Sequence, residues 1–451
     1  MIQHSLEEAS DRVTSINFRS RTYQAAKCYW HGTHRSASPE ETLERIRPYF
    51  KSVGLTRLGN ITHLDCIGIP VTISIRPNSY SIVTSSGKGT TLEAALVSAA
   101  MESIELHCAE NINIHEIHLP YAKLGGDYDV IKLENMALRP NSLFNVNWTE
   151  QWYLGWDIVN QIEVACPVQA VSMDYRILSK NFKNIASFDV CSNGLASGNH
   201  FLEALSSALF EVIERDAVTC HIEAALRVGY QKPRVLPETI PYPAVQKMLA
   251  QLEAANVVPV LYDCTVDTEV PVYLGHCYDK NECYVPSGYG YGAHLDPEVA
   301  MLRALTEAVQ SRAILISGAR DDLFRQYYTA IKVNNKTQNQ GCESDKSTTI
   351  DARIRKSEAT STFEGDINLV LQKLKRVGLD QIIVFDLTPP EWDIAVVRVV
   401  VPGLEGYYHK NYLPKHRAIA FAKSKKYTQI NSPSTLVYKE IEAHLPAGGI
   451  S

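Results

Sequence analysis

The sequence predicts a mixed α/β fold, sheets with helices, and three observations carry that expectation. Short β-rich runs alternate with helical periodicities along the 451 residues, the helical stretches are long and mostly apolar, and three of them share one internal design. That length suits one large α/β unit or two to three average domains.

In chain order, IPVTISI (69–75) and SIVTSS (81–86) read as strands, because β-branched residues crowd short runs. Helical patterns follow over 91–110, 201–226 and 243–255. VPVLYDC (258–264) and VPVYLGHCYD (270–279) are strand candidates, 296–317 and 366–377 are helical, and QIIVFDL (381–387) is a last strand. Between 331 and 362 the chain is polar and nearly free of large apolar residues, which predicts a surface insertion rather than a domain boundary.

The formal charge is −6, with 44 Lys and Arg against 50 Asp and Glu, and no dense basic run interrupts it. A nucleic-acid backbone is therefore not the expected main partner. Ten cysteines are scattered without a C-x-x-C pair or a Cys/His cluster at zinc spacing, as in a reducing compartment. The start, MIQHSLEEASDRVTS, has acids and hydroxyls where a signal peptide needs an apolar core, and no run approaches a membrane span. A cytoplasmic protein is expected.

The three related segments are GKGTTLEAALVSAAMESIEL (87–106), SGNHFLEALSSALFEVIER (197–215) and GYGAHLDPEVAMLRALTEAVQSR (290–312). With Glu102, Glu211 and Glu307 aligned, Ser98, Ser207 and Arg303 stand four residues earlier and Glu105, Glu214 and Gln310 three later. Those offsets share one helix face, so each segment aims a polar triplet in one direction. Three pseudo-repeated loop-helix units around a shared centre are predicted.

The flanks AALVSAAM, EALSSALF and MLRALTEAV are apolar on most sides, which argues that these acids are buried rather than solvated. A desolvated carboxylate needs a counter-charge or a metal. Glu102, Glu105, Glu211 and Glu214, with Glu203 one face over, exceed what Arg215 and Lys88 neutralise, and Mg2+ is the ordinary hard cation for oxygen ligands. Mg2+ held by few carboxylates also takes phosphate oxygens, which points to a nucleoside triphosphate at the centre. SSGKGT (85–90) reads as a phosphate-binding turn ahead of a helix, although it is not a P-loop.

These residues resemble the YcaO family, ATP-dependent enzymes acting on amide carbonyls, over roughly 20–420, leaving 1–20 as an N-terminal segment and 421–451 as a C-terminal tail. The marks are KCYWHGTHRSASPEETL (27–43), GLTRLGNITHLDCIGIPV (54–71), RPNS (76–79), the Gly-Lys-Gly turn, S-x-x-x-E-x-x-E (98–105), NGLASGN through EVIERDA (193–217), LRALTEAVQSR (302–312) and VVVPGLEG (399–406). The resemblance implies a YcaO-like fold with a central nucleotide site, and ATP and Mg2+ as cofactors. It assigns Glu102, Glu105, Glu203, Glu211 and Glu214 to the metal or its waters. Lys27, Lys88, Ser98, Asn199, Arg215, Gln310 and Arg312 match positions around the nucleotide, with Lys88 and Arg215 also stabilising the transferring phosphoryl group. Ala196 stands where the family commonly has a hydroxyl, a departure at that contact.

The implied chemistry is amide activation: a nucleophile adds to the carbonyl, ATP phosphorylates the oxyanion, and phosphate leaves. Azoline, amidine and thioamide products are all open to such an enzyme. No extension long enough for a leader-binding domain precedes the match, and the chain ends HLPAGGIS rather than in a Pro-x-Pro-x-Pro tail. A peptide substrate would thus need a separate recognition partner, and a small amide-containing molecule is an alternative. GTHR, GLTR and RPNS look closest to members associated with a TfuA partner and thioamidation, which need a sulfur donor. Cys108, one turn beyond Glu105, is then the first candidate for a persulfide. A homodimer is possible, and a non-catalytic scaffold is the contrary reading.

Overall fold

Each of the three related segments folds as a strand, a short turn and a helix lying directly on that strand. The computed structural model describes residues 15–112, 117–139, 142–176, 187–280, 287–321, 323, 348–409 and 412–425. Its longer helices are α1 (Pro39–Ile46), α2 (Leu92–Glu110), α3 (Phe201–Val228), α4 (Pro243–Ala254), α5 (Pro297–Ser317), α6 (Phe363–Arg376) and α7 (His416–Lys425). The strands paired with α2, α3 and α5 are Thr84–Lys88, Leu195–Gly198 and Gly288–Ala293.

Glycine explains how helix and strand come so close. A Cβ on Gly87 would stand 2.1 Å from the Ala95 carbonyl oxygen and 2.3 Å from the Ala99 amide nitrogen, and one on Gly290 would stand 2.3 Å from the Ala308 amide. Small helix residues complete the fit on the other side. Each helix begins at a capping side chain, Thr91, His200 or Asp296, which accepts a hydrogen bond from a first-turn amide. α3 is buried along nearly its whole length and ends at Gly229 in the left-handed region (φ 67°).

Thr84–Lys88 forms the edge of an antiparallel three-stranded sheet with Val71–Ile75 and Arg57–Asn60. Leu195–Gly198 begins a seven-stranded sheet that continues through Ala395–Val400, Ile383–Asp386, Thr149–Asp157 and Ile162–Pro167 to Asp129–Val130, with Ile117–Pro120 beside Thr149–Asp157. Gly288–Ala293 is the edge of a five-stranded sheet continuing through Val272–Asp279, Val257–Asp263 and Arg234–Val235 to Thr349–Ile350. The chain is therefore mixed α/β, with three sheets meeting at the three helices. No described helix is long and apolar enough to cross a membrane.

Three expectations change. Ser85, Ser86, Gly87 and Lys88 belong to a strand rather than to a phosphate-cradling turn, so only Gly89 and Thr90 separate it from the Thr91 cap. Within the expected 331–362 insertion, 331–347 lie outside the described residues, while Thr349–Ile350 pairs in parallel with Arg234–Val235 and the Ser361 carbonyl accepts from the Lys27 amide. Ile350 and Ala352 pack on the core beside Val235, which ties that half into the fold. Helix α7 crosses position 421, its start held by Glu405, which accepts from the Lys415 and Ala418 amides. Of the N-terminal segment, Ile16–Phe18 is a strand and residues 1–14 lie outside the described set, as do 426–451 of the tail.

The close approach makes a stability prediction. Gly87→Ala is expected to destabilise by about 1–3 kcal/mol, because both contacts are rigid backbone atoms. Gly125→Ala, with nothing within 4 Å and αR backbone, should stay within about 0.5 kcal/mol. Urea denaturation of the two variants checks this, and equal stability would remove the packing role.

Candidate active site

The aligned glutamates of α2 and α5 accept from their own strands, and that of α3 accepts from the turn residue just before its strand. The Ser86 amide donates to Glu102 Oε2 (3.0 Å), the Gly194 amide to Glu211 Oε1 (3.3 Å) and the Tyr291 amide to Glu307 Oε1 (3.3 Å). The sequence separations are 16, 17 and 16, so one local geometry recurs three times.

Three residues further along, each helix reaches the next unit. Glu105 accepts from the Ser197 amide (2.7 Å) and hydroxyl (2.6 Å), Glu214 Oε2 accepts from the Ala293 amide (3.1 Å), and Gln310 Nε2 donates to Ser86 Oγ (2.8 Å). The first unit thus holds the second, the second the third, and the third the first. The polar faces converge in a closed ring.

A cavity of about 260 Å³ opens at this ring. Lys88, Ser98, Glu102, Glu105, Asn199, Glu203, Glu211 and Gln310, all expected from the sequence, line it. Glu214 and Arg215 do not: both are buried behind it, with Arg215 4.0 Å from Glu214 and over the Tyr407 ring. Lys88 bonds Glu307 (2.8 Å), the third unit's aligned acid.

Three expected residues stand elsewhere. Arg312 is spent on Asp65 (2.9 Å) and Asp279 (3.1 Å). Lys27 contacts Asp366 and the Thr360 carbonyl (2.8 Å) in a small annex beside the cavity. Cys108 packs in an apolar cluster, and burial pushes its thiol up to about 12, the reverse of what a persulfide carrier needs. It is not among the residues that line the cavity.

Arg35, Ser36, Ser197 and Arg303 join the site from outside the set expected of it. Arg35 reaches Glu203 (3.3 Å) and Ser207 (3.2 Å), and Ser36 donates to Glu203 by amide (2.9 Å) and hydroxyl (2.5 Å). Ser197, next to the departure at Ala196, donates to Glu105 by amide and hydroxyl. For Arg303 the sequence holds a signal: it occupies the position of Ser98 and Ser207 in the third unit.

Burial dominates the electrostatics. It pushes Glu105 up to about 8, against the Ser197 hydrogen bonds and aided by neighbouring Glu102 and Glu211, and it raises Glu211 despite Arg215 and Arg398. Glu214 is pushed up to about 7 by burial, partly countered by Arg215. Burial works the same way on Glu307, but Lys88 and Arg215 outweigh it and hold that carboxyl down. Among the described residues no cation lies within ion-pair distance of Glu105 or Glu211.

The lining fits a hard divalent cation and a polar anionic ligand. Buried carboxylates short of positive charge are joined by Asn199 Oδ1, Gln310 Oε1 and Arg303 Nε, buried atoms with no hydrogen-bond partner among the described residues. A tighter group, His34, His294 and Asp366 with ligand atoms within 4.8 Å of one another, lies in the annex. There the Lys27 ammonium already sits on Asp366, 3.4 Å from His34 Nδ1, so the group carries its own cation.

Comparison with known proteins bears on the family and the fold. The family profile described as YcaO cyclodehydratase, ATP- and Mg2+-binding, matches residues 86–405. An uncharacterized protein in the tfuA 3′ region of Rhizobium leguminosarum bv. trifolii is 31% identical over 82% of this chain and 88% of its own length. An uncharacterized protein of Methanothermobacter thermautotrophicus is 35% identical over 82% of this chain and 95% of its own. Among solved structures, YcaO from Methanopyrus kandleri bound with AMPPCP and Mg2+ superposes with a TM-score of 0.66 at 23% identity, over 84% of this chain and 95% of that one. A heterocyclase in complex with substrate and cofactor reaches 0.74 at 20% identity over 89% of this chain, which spans 56% of that protein's length.

Glu105 gives the metal-free protein a signed pH dependence. Its carboxyl ordinarily titrates near 4.5 and in the fold near 8, so folding takes up a proton between those values and stability falls as pH rises through that window. Thermal unfolding in EDTA from pH 5 to pH 8 should show this fall, flattened in Glu105→Gln. A wild-type profile as flat as the variant's would refute it.

Proposed function

The chain belongs to the YcaO family, and from that premise we propose that it uses ATP and Mg2+ to phosphorylate an amide oxygen and exchange that oxygen for sulfur. The observation that carries this reading is the ring itself: carboxylates of α2 and α3 line one cavity with Lys88, Ser98, Asn199 and Gln310, and two of them are buried without a counter-cation among the described residues. Glu102, Glu105, Glu203 and Glu211 would hold Mg2+ directly or through water, with Glu214 behind them. The metal, when bound, supplies positive charge to phosphate oxygens.

Hydrosulfide from a donor adds to the amide carbon, forming C–S and placing an electron pair on oxygen. That oxygen attacks the terminal phosphorus of ATP, forming O–P as the bond to the bridging oxygen breaks with its electron pair on ADP. Phosphate then departs with the C–O pair and a proton is lost from sulfur or nitrogen, leaving the thioamide. Lys88, fixed by Glu307, faces the negative charge that accumulates on the phosphoryl oxygens. Asn199 is held at the cavity wall by its bond to Thr42 (2.9 Å) and offers its unsatisfied oxygen to a donor group of the ligand.

The tfuA neighbourhood of the Rhizobium relative supports sulfur as the nucleophile and a TfuA-like partner protein. The substrate amide belongs to a peptide backbone or a small molecule. A second reading, azoline closure by a peptide Cys, Ser or Thr, is favoured by the family's description as a cyclodehydratase. Mass spectrometry of the product separates the two: sulfur exchange gains mass, and ring closure loses one water.

ATP turnover with candidate amide and sulfide should fall on the order of 10–100-fold or more in Glu211→Gln, with weaker Mg2+ dependence. Wild-type protein that neither binds Mg2+–ATP nor responds to this substitution would leave the non-catalytic scaffold as the reading.

A further inference from the structure

The annex and the central cavity share Thr33, Arg35, Ser207 and Arg303 in their walls, so the two spaces join. Their charges differ. Among the described residues the cavity sets Glu102, Glu105, Glu203 and Glu211 against Arg35, Lys88 and Arg303, whereas the annex sets Asp366 alone against Lys27, Arg35 and Arg303.

Part of the annex is framework. An ammonium has three hydrogens, and that of Lys27 donates them to the Thr360 carbonyl (2.8 Å), to Asp366 and to His34 Nδ1 (3.4 Å). Asp366 Oδ1 accepts from the Thr360 amide (2.7 Å) and hydroxyl (3.0 Å). That ion pair is complete, and it ties the chain around Lys27 to the start of α6.

The two imidazoles are not complete. An ammonium or an amide only donates, so Nδ1 of His34, facing Lys27, and Nδ1 of His294, facing the Asp296 amide (2.9 Å), both accept. Burial holds both rings neutral, with His34 lowered to about 4 and His294 well below its ordinary value. Each ring therefore carries its proton on Nε2, and among the described residues neither Nε2 has a hydrogen-bond partner. Both histidines are more than nine-tenths buried, and the rings of Phe210 (4.6 Å) and His34 (4.7 Å) pack against that of His294. Two buried N–H donors left without an acceptor cost free energy unless something in the annex accepts from them.

The annex encloses about 20 Å³, where about 10–15 Å³ suffices for one water, so it admits one particle of roughly that size and no phosphate. Its excess of positive charge favours an anion, and Lys27 already stands where a metal would. Phe210, Phe363, Val299 and Ala293 make the remaining wall apolar, which suits a polarizable sulfur beside aromatic rings.

Resting on the sulfur reading above, we propose that the annex is a hydrosulfide site, in which the Nε2–H groups of His34 and His294 hold one hydrosulfide anion in the field of Lys27, Arg35 and Arg303. The nucleophile then has a compartment of its own, apart from the carboxylate wall that would repel it. On transfer its lone pair forms the C–S bond while the carbonyl π pair moves to oxygen; the annex makes and breaks only hydrogen bonds.

Histidine ring NMR signals of the isotope-labelled full chain, titrated anaerobically with sodium sulfide at constant pH and separately with sodium chloride, test this without amide or nucleotide. The His34 and His294 signals, identified by their loss in His34→Phe and His294→Phe, should shift saturably with sulfide and not with chloride. His294→Phe should weaken sulfide on the order of 10–100-fold, and His294→Gln, which keeps a side-chain donor, should recover part of that loss. If His294→Phe does not fold, judged by its thermal transition, His34→Phe is titrated in its place. Sulfide that leaves both rings unmoved makes the occupant a water, and chloride that moves them at the same concentrations makes the annex a general anion site; either overturns the assignment. Wild-type protein that exchanges oxygen for sulfur with both rings unmoved sinks only the annex, whereas sulfide bound there beside a product without sulfur sinks the sulfur reading and leaves the site standing.

Discussion

Glu105 takes two hydrogen bonds from Ser197, across the boundary between the first and second units, and that contact with its two counterparts closes the ring. Backbone amides serve both Glu105 and Glu214, and with the Ser197 hydroxyl they stabilise a carboxylate by dipole and bring no net charge. The carboxylates are therefore held in place, burial raises Glu105, Glu211 and Glu214, and among the described residues no cation lies within ion-pair distance of Glu105 or Glu211. A structural site would have spent arginines here; this one keeps the demand open to a ligand.

The ring in turn requires the close helix–strand packing. An amide on a strand reaches a glutamate on a helix only when the two backbones nearly touch, and Gly87, Gly198 and Gly290 with their facing helix residues make that possible. The Gly-rich sequence before each helix thus has a packing cause first. Its consequence for function is indirect: it sets where the acids stand, and the Lys88 side chain, at the strand's end, is what enters the cavity.

Much of this is legible in the sequence. Aligning Glu102, Glu211 and Glu307 identifies three units and their convergence, because acids repeated at fixed helical offsets between apolar flanks must share a buried face. The five longest helical patterns fall within three residues of the observed helices, since long periodic stretches are hard to misread. What is not legible depends on tertiary contact. Gly87 and Lys88, beyond the strand expected over 81–86, read as a turn because small polar residues serve turns and helix-facing strands alike. Arg312 reads as a nucleotide ligand until Asp65, 247 residues away, takes its guanidinium. Cys108 sits one turn beyond Glu105 along the helix, but its surroundings are apolar, and only packing reveals that. RPNS proves to be a clamp, with Arg76 and Ser79 both bonded to Glu110.

Symmetry and its breaking carry different information. The repeated features, the caps, the strand amides and the aligned glutamates, build the frame. The differences fall in the third unit, where Arg303 replaces a serine, Gln310 replaces a glutamate, and Glu307 is matched by Lys88. The first two units consequently supply the acidic wall and the third removes acid and adds base. A cavity graded in this way suits a ligand that is itself graded, a metal cation at one end of an anionic chain. A ring of three identical units would offer no such direction, so the departures from the repeat, rather than the repeat, give the cavity its polarity.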